Sequence, residues 1–147
     1  MLYLLDANVL IDANRDYYPL ERVPEFWDWL IRMGTEDNVK VPYEIYEEIN
    51  AGTDALAKWA KDKDVSEALV LKEDADQRLV ADVINVGYAS DLNDIEIETV
   101  GRDPLLIAYA RADVGSRTIV TTEHSKPTKQ RANRHVPDVC AQLKFSA

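Results

Sequence analysis

The first twelve residues constrain this chain more than any other stretch. In Tyr3-Leu4-Leu5-Asp6-Ala7-Asn8-Val9-Leu10-Ile11-Asp12, an apolar run meets one acid, resumes, and meets a second. Leu2 to Leu5 is too short for a helix and predicts a buried strand. Asp6 then stands at the strand's carboxyl end, the edge at which open α/β sheets bind ligands. The same position suits a helix N-cap, where the carboxylate accepts a backbone N–H. Taken alone, this stretch leaves cap and site both open.

Further along, Val9 to Ala13 predicts a short helix broken before Pro19, because the residue preceding proline avoids helical geometry. Pro24 opens a second helix with Phe26, Trp29, Leu30 and Met33 on its core face and Gly34 as its stop. Val39 to Pro42 is expected as a strand, and Tyr43 to Asn50 as a helix closed by Gly52. Another helix begins near Asp54 with Leu56, Trp59 and Ala60 on one face. The alternating charge from Lys58 to Asp64 reads as solvated surface. A longer helix is expected over 73–89, with Leu79, Val83 and Val86 aligned. Ser90 to Val100 reads as an edge strand or an acidic loop. Asp103-Pro104 launches a helix, Arg117 to Thr121 is a strand, and Pro137 starts a last helix after a basic loop. Strands alternating with helices imply one α/β domain over 1–147, with a short parallel central sheet covered by helices.

A chain of 147 residues is long enough to bury most of its apolar surface. No apolar stretch approaches the ~20 residues needed to span a bilayer, and Asp6 interrupts the only run that resembles a leader. The single cysteine, Cys140, excludes an internal disulfide and fits a reducing cytoplasm. Net charge is −10, unevenly spread: residues 1–116 carry 25 acids and 11 bases, residues 117–147 carry 2 acids and 6 bases. Such asymmetry fits a basic segment that meets a polyanion, an acidic body that recruits cations, or a solvated surface.

Four acids stand at strand ends or helix starts. Asp6 follows the first strand, Asp103 precedes a helix-opening proline, and Glu123 follows the last strand. The fourth lies among Glu44, Glu47 and Glu48. With Ile45, Tyr46 and Ile49 defining the apolar face, Glu44 and Glu47 point toward solvent and Glu48 lies at the border, so Glu48 is preferred. Asp103 also suits an N-cap, and Glu123 an exposed strand end. Asp12 reads as a helix-surface residue, and Asp138 as a fifth acid or a helix-start residue beside Pro137.

Carboxylates gathered at one sheet edge repel one another and need a counter-charge. Mg²⁺ or Mn²⁺ supplies it, since these cations prefer oxygen ligands and retain waters. Lys126, Lys129, Arg131 and Arg134 then become candidates for holding a nucleic-acid backbone. His124 and His135 have no ligand-type spacing with Cys140, and the five glycines are scattered. Zinc, triad and phosphate-loop chemistry are therefore set aside.

In combination, these residues resemble a known family. Leu4-Leu5-Asp6-Ala7-Asn8-Val9-Leu10-Ile11 is similar to the opening signature of PIN-domain nucleases, including VapC-type toxins. Glu48-Ile49, Asp103-Pro104-Leu105-Leu106-Ile107-Ala108 and Thr121-Thr122-Glu123 follow in family order, so the likeness covers about residues 2–125. The resemblance implies a PIN-like three-layer sandwich and a Mg²⁺- or Mn²⁺-dependent endoribonuclease. It assigns Asp6, Glu48, Asp103 and Glu123 to the metal, with Asn8 and Thr121 in support. It further implies an RNA substrate, a homodimer and a cognate antitoxin of a toxin–antitoxin pair. There are departures: Glu123 stands where aspartate is commoner, Ala7 replaces a frequent threonine, and the chain ends soon after Cys140. Two other readings are an Asp-nucleophile phosphatase, which usually needs an acid where Asn8 stands, and a catalytically inactive binding module of the same fold.

Overall fold

Four short stretches become strands: β1 Leu2–Leu5, β2 Val39–Pro42, β3 Val70–Leu71 and β4 Arg117–Val120. In the computed structural model, which describes residues 1–145 and 147, they form one parallel sheet in the order β3-β2-β1-β4. The fold class is α/β with a parallel central sheet, as expected. Tyr3 is in register with Val39, Leu4 with Lys40, and Val41 with Val70. No helix among the described residues is long and apolar enough to cross a membrane.

The chain, expected to be one domain, divides into two compact units. The first comprises residues 1–73 and 120–122. It holds β1 to β3 and helices α1 Ala7–Asp12, α2 Pro24–Thr35, α3 Tyr43–Asn50, α4 Ala55–Lys61 and α5 Lys63–Leu69. Leu4, Leu10, Trp27, Val41, Ile45 and Leu69 are among its fully buried side chains. The second comprises residues 74–119 and 123–147. It holds α6 Gln77–Asp82, α7 Asp94–Val100, α8 Asp103–Arg111 and α9 Val136–Gln142. Val83, Leu106, Ile107, Ile119, Val136 and Val139 fill its core.

Several expectations are corrected. Gly34 does not stop α2. It lies inside the helix and is buried, and a Cβ there would sit 2.5 Å from the carbonyl oxygen of Ala68. Close approach of α5, not helix termination, is what requires glycine here. The buried face of α2 is Trp27, Leu30 and Gly34, so Trp29 is exposed and Phe26 half-buried. The indole Nε1 of Trp27 donates to Tyr18 O at 2.7 Å, which explains how the larger ring is accommodated inside.

The charged stretch read as solvated surface runs into α5, capped by Asp62, whose side chain accepts from Asp64 N and Val65 N. That helix delivers Leu69 to the core and leads straight into β3, a strand not anticipated. The acidic segment before residue 100 is α7, not a strand or loop. Asn93 and Glu96 form a reciprocal capping box that starts it. The helix expected over 73–89 begins only at Gln77 and passes into a π-helical turn, Val83–Tyr88. The extra residue in that turn rotates the inward face, so Gly87 and Tyr88 are buried and Val86 is exposed. A similar turn, Ala13–Tyr17, extends α1 beyond its expected end.

Candidate functional site

In the first unit, Asp6 is the one charged side chain found buried among the described residues, 5% exposed. Its position follows from β1: the backbone N–H of Asp6 donates to Val120 O at 3.0 Å, and α1 starts at the next residue. Asp6 Oδ1 accepts from Ala7 N at 2.7 Å, so the carboxylate does cap α1. Its second oxygen serves another purpose. Oδ2 accepts from Asn8 Nδ2 and from Thr121 Oγ1, each at 3.1 Å.

The support is cross-linked. Asn8 Nδ2 also donates to Thr121 Oγ1 at 3.2 Å, while Asn8 Oδ1 accepts from Thr122 N at 3.1 Å. Hydrogen bonds to a charged group contribute about 1.5–3 kcal/mol each, which offsets part of the cost of burying a carboxylate. Sequence reasoning missed two members of this network. Thr122 Oγ1 donates to Asp12 Oδ2 at 2.7 Å, and Arg15 pairs with Asp12 at 2.8 Å. Asp12 is therefore half-buried and engaged, not a plain helix-surface residue. Its signal in the sequence was the spacing of two acids one helix apart, which periodicity alone cannot link to Thr122.

On α3, Glu48 is exposed, whereas Glu44 and Glu47 are half-buried. This reverses the ranking expected from Ile45, Tyr46 and Ile49. The helix packs on α1, α4, β2 and β3, so a single apolar face does not decide which glutamates meet solvent. Tyr46 shows how the core on this side is closed, its hydroxyl donating to Ala60 O at 2.7 Å.

In the second unit, Asp103 is the first residue of α8 and is half-buried; Arg102 occupies the N-cap, without a capping side-chain bond. The expected N-cap role of Asp103 is thereby displaced by one position. Glu123 is half-buried and accepts from Val136 N at 2.9 Å, fixing the start of α9. Asp138 accepts from Ser125 Oγ and, at 2.8 Å, from Lys126 N. The Ser125 hydroxyl is the main cause holding the Asp138 carboxyl below its usual range, with the Lys126 N–H assisting. Asp138 thus braces the basic loop.

The four basic candidates divide. Arg131 is gripped by Glu96, Nε to Oε2 at 2.8 Å, and by Asp91 at 2.9 Å. Arg134 donates to Gly87 O, Gln142 Oε1 and Asp138 O. Both are internal braces of the second unit, a correction to their expected role as free phosphate contacts. Lys126 and Lys129 are exposed and form no ion pair among the described residues.

Tyr88, which no sequence pattern singled out, ends the π-helical turn and is 7% exposed. Burial, followed by the charges of Asp103 and Glu123, pushes its phenol well above the ordinary range. Burial alone pushes the Cys140 thiol up to about 12, so this cysteine is an inert core residue.

By kind, the donors fit a hard cation: carboxylate, amide and hydroxyl oxygens without a thiolate or imidazole among them. Among the described residues, no three Asp, Glu, His or Cys side chains form a group that could hold a metal ion. Mg²⁺ commonly takes only one or two carboxylates and fills its shell with water, so the donor chemistry fits. A surface cleft of about 500 Å³ is lined by Thr35, Asp37, Lys40, Asp64, Glu67 and Lys72 among others, and includes none of the expected site residues.

No curated protein and no solved structure matches the chain. One family model does, over residues 3–147, described as a domain of unknown function, DUF4411. A match over nearly the whole length, spanning Asp6, Glu48, Asp103 and Glu123 alike, places the chain in a family: it belongs to DUF4411.

Proposed function

We propose that this protein is a Mg²⁺- or Mn²⁺-dependent endoribonuclease of PIN-like type that hydrolyses RNA phosphodiester bonds. The observation that carries the reading is the buried Asp6 carboxylate at the carboxyl end of β1, held by Asn8 and Thr121. A carboxylate oriented in this way is suited to a divalent cation. By the sequence resemblance, Glu48, Asp103 and Glu123 are further ligands. When bound, such a cation lowers the pKa of water and stabilises charge at phosphorus. The chain's own residues do the rest: Asn8 and Thr121 fix the plane of Asp6, and Lys126 and Lys129 attract the RNA backbone.

The phosphatase reading is less favoured, because both oxygens of Asp6 accept hydrogen bonds, which weakens a carboxylate as a nucleophile. The partners that go with the proposal are an RNA substrate, a cognate antitoxin and a second copy of the chain, with the cytoplasm as the place of action. The deciding experiment compares wild type and Asp6→Ala in Mn²⁺-dependent cleavage of single-stranded and structured RNA. Loss of at least about 100-fold in rate is expected on the scale of losing one catalytic electrostatic group. Full retention overturns the assignment.

A further inference from the structure

β3 is an outermost strand of the sheet, paired with β2 on one side only. The register fixes its outward edge: Val41 faces Val70 and Pro42 faces Leu71. In a parallel pair, one residue of each facing couple turns both its N–H and its C=O toward the other strand. Were Val70 that residue, its carbonyl would need the N–H of Pro42, which proline lacks. The N–H of Val70 is in any case engaged by Ser66 O. The ladder therefore runs through Leu71. The trans peptide planes on either side of Leu71 then aim Val70 C=O and Lys72 N–H away from β2. Neither group has a hydrogen-bond partner among the described residues.

This edge borders the cleft of about 500 Å³, whose lining lies wholly in the first unit. Ala68, Val70 and Leu71 give the cleft an apolar wall. Its charged lining sets three carboxylates, Asp37, Asp64 and Glu67, against two ammonium groups, Lys40 and Lys72. Lys40 Nζ donates to Ala68 O at 2.8 Å and pairs with Asp37 at 3.2 Å, and Lys72 pairs with Glu67. Asp64 is exposed and forms no ion pair among the described residues. The unbalanced charge of the cleft is thus negative. The first unit as a whole carries 16 acids against 8 bases, a field that repels a polyanion and attracts a cation.

We infer that the open edge of β3 and the cleft beside it form a docking site for an extended segment of a partner protein that carries a lysine or arginine. A segment running parallel to β3 satisfies both backbone groups with one residue, which donates to Val70 C=O and accepts from Lys72 N–H. The basic side chain pairs with Asp64, and an apolar side chain rests on Ala68, Val70 and Leu71. A two-residue edge is too short to pair with strands indiscriminately, so the cleft selects the segment. The site uses none of Asp6, Glu48, Asp103 and Glu123 and stands apart from the metal-dependent reading.

The test titrates the full chain, by fluorescence anisotropy, with three labelled peptides of alternating valine and threonine. One has a central arginine, one has glutamate in its place, and one keeps the arginine but is N-methylated along its backbone. The arginine peptide is expected to bind, with the glutamate peptide at least about fivefold weaker. The N-methylated peptide should be weaker by about tenfold or more, the scale of a lost main-chain hydrogen bond. Asp64→Asn should weaken the arginine peptide about two- to fivefold. Hydrogen exchange at the Lys72 amide should slow when the arginine peptide is bound. No binding of that peptide to the folded protein overturns the proposal, as does equal binding of the glutamate or N-methylated peptide. Unchanged affinity in Asp64→Asn, or unchanged exchange at Lys72, also overturns it. Should Asp64→Asn fail to fold, the peptide comparisons and the exchange measurement on wild type decide. Sedimentation that shows a dimer whose Lys72 amide is already protected without peptide assigns the edge to a second copy of the chain and overturns the proposal.

Discussion

Thr121 Oγ1 donates to Asp6 Oδ2 at 3.1 Å across 115 positions of sequence, and Asn8 donates to the same oxygen. One carboxylate oxygen is thus set by two donors that belong to different parts of the chain. Thr121→Val keeps the shape and removes the donor. It should lower stability by about 1–3 kcal/mol, the cost of leaving a buried charged acceptor short of a partner. Urea unfolding of Thr121→Val against Thr121→Ser measures it, since serine retains the hydroxyl. Equal midpoints for the two variants would show that the hydroxyl does not support Asp6.

Gly34→Ala should destabilise the first unit despite alanine's higher helix propensity. Propensity favours alanine by about 1 kcal/mol, but the new Cβ meets Ala68 O at 2.5 Å and Leu69 Cδ2 at 2.7 Å. Backbone oxygen cannot move aside as a side chain can, so a net loss of about 1–3 kcal/mol is expected. Thermal unfolding that shows a rise in Tm contradicts the close packing of α2 on α5.

Stability should fall in acid partly through Asp138. Its folded pKa lies below the ordinary 3.8 because Ser125 and Lys126 donate to the ionised form. A depressed folded value means that its contribution is present above the unfolded pKa and is lost as pH falls through the folded one. Asp138→Asn should therefore be less stable than wild type at pH 7, with the difference closing below about pH 4. A Tm series from pH 7 to pH 2 reads this directly. The effect is small because solvent screens the pair.

The basic residues should separate into two phenotypes. Lys126→Ala with Lys129→Ala should leave the unfolding free energy within about 0.5 kcal/mol of wild type and reduce the salt dependence of RNA binding by about 2 in slope. Arg134→Ala should instead lower Tm, since Gly87 O, Gln142 and Asp138 O lose their shared donor. Filter binding across a salt series, paired with thermal unfolding, distinguishes these outcomes. A stable Arg134→Ala that loses only RNA affinity contradicts its role as a brace.

Much of the architecture was legible because its signals are local. Short apolar runs ending at Asp6 and Pro42, and the strand-like Arg117–Val120, needed only period and length to be recognised. Their alternation with helices implied the parallel α/β sheet, and the position of Asp6 at the end of β1 followed from the same pattern. The missed α7 was also written locally, in Asn93 and Glu96, where acidic alternation obscured a capping box.

Other features depended on neighbours far away in sequence. A helix's apolar count cannot register a backbone approaching to 2.5 Å, so Gly34 read as a stop when α5 had made it a contact. A cluster of basic residues cannot disclose that Asp91 and Glu96 already hold Arg131. Nor can a tyrosine in an apolar stretch reveal whether its hydroxyl finds an acceptor among the described residues, as that of Tyr46 does and that of Tyr88 does not. By itself the sequence determined the fold class and the place of Asp6, because periodicity and turn chemistry act within one element. Only the tertiary structure decided which polar groups meet, because hydrogen bonds and close packing are set by distance in space.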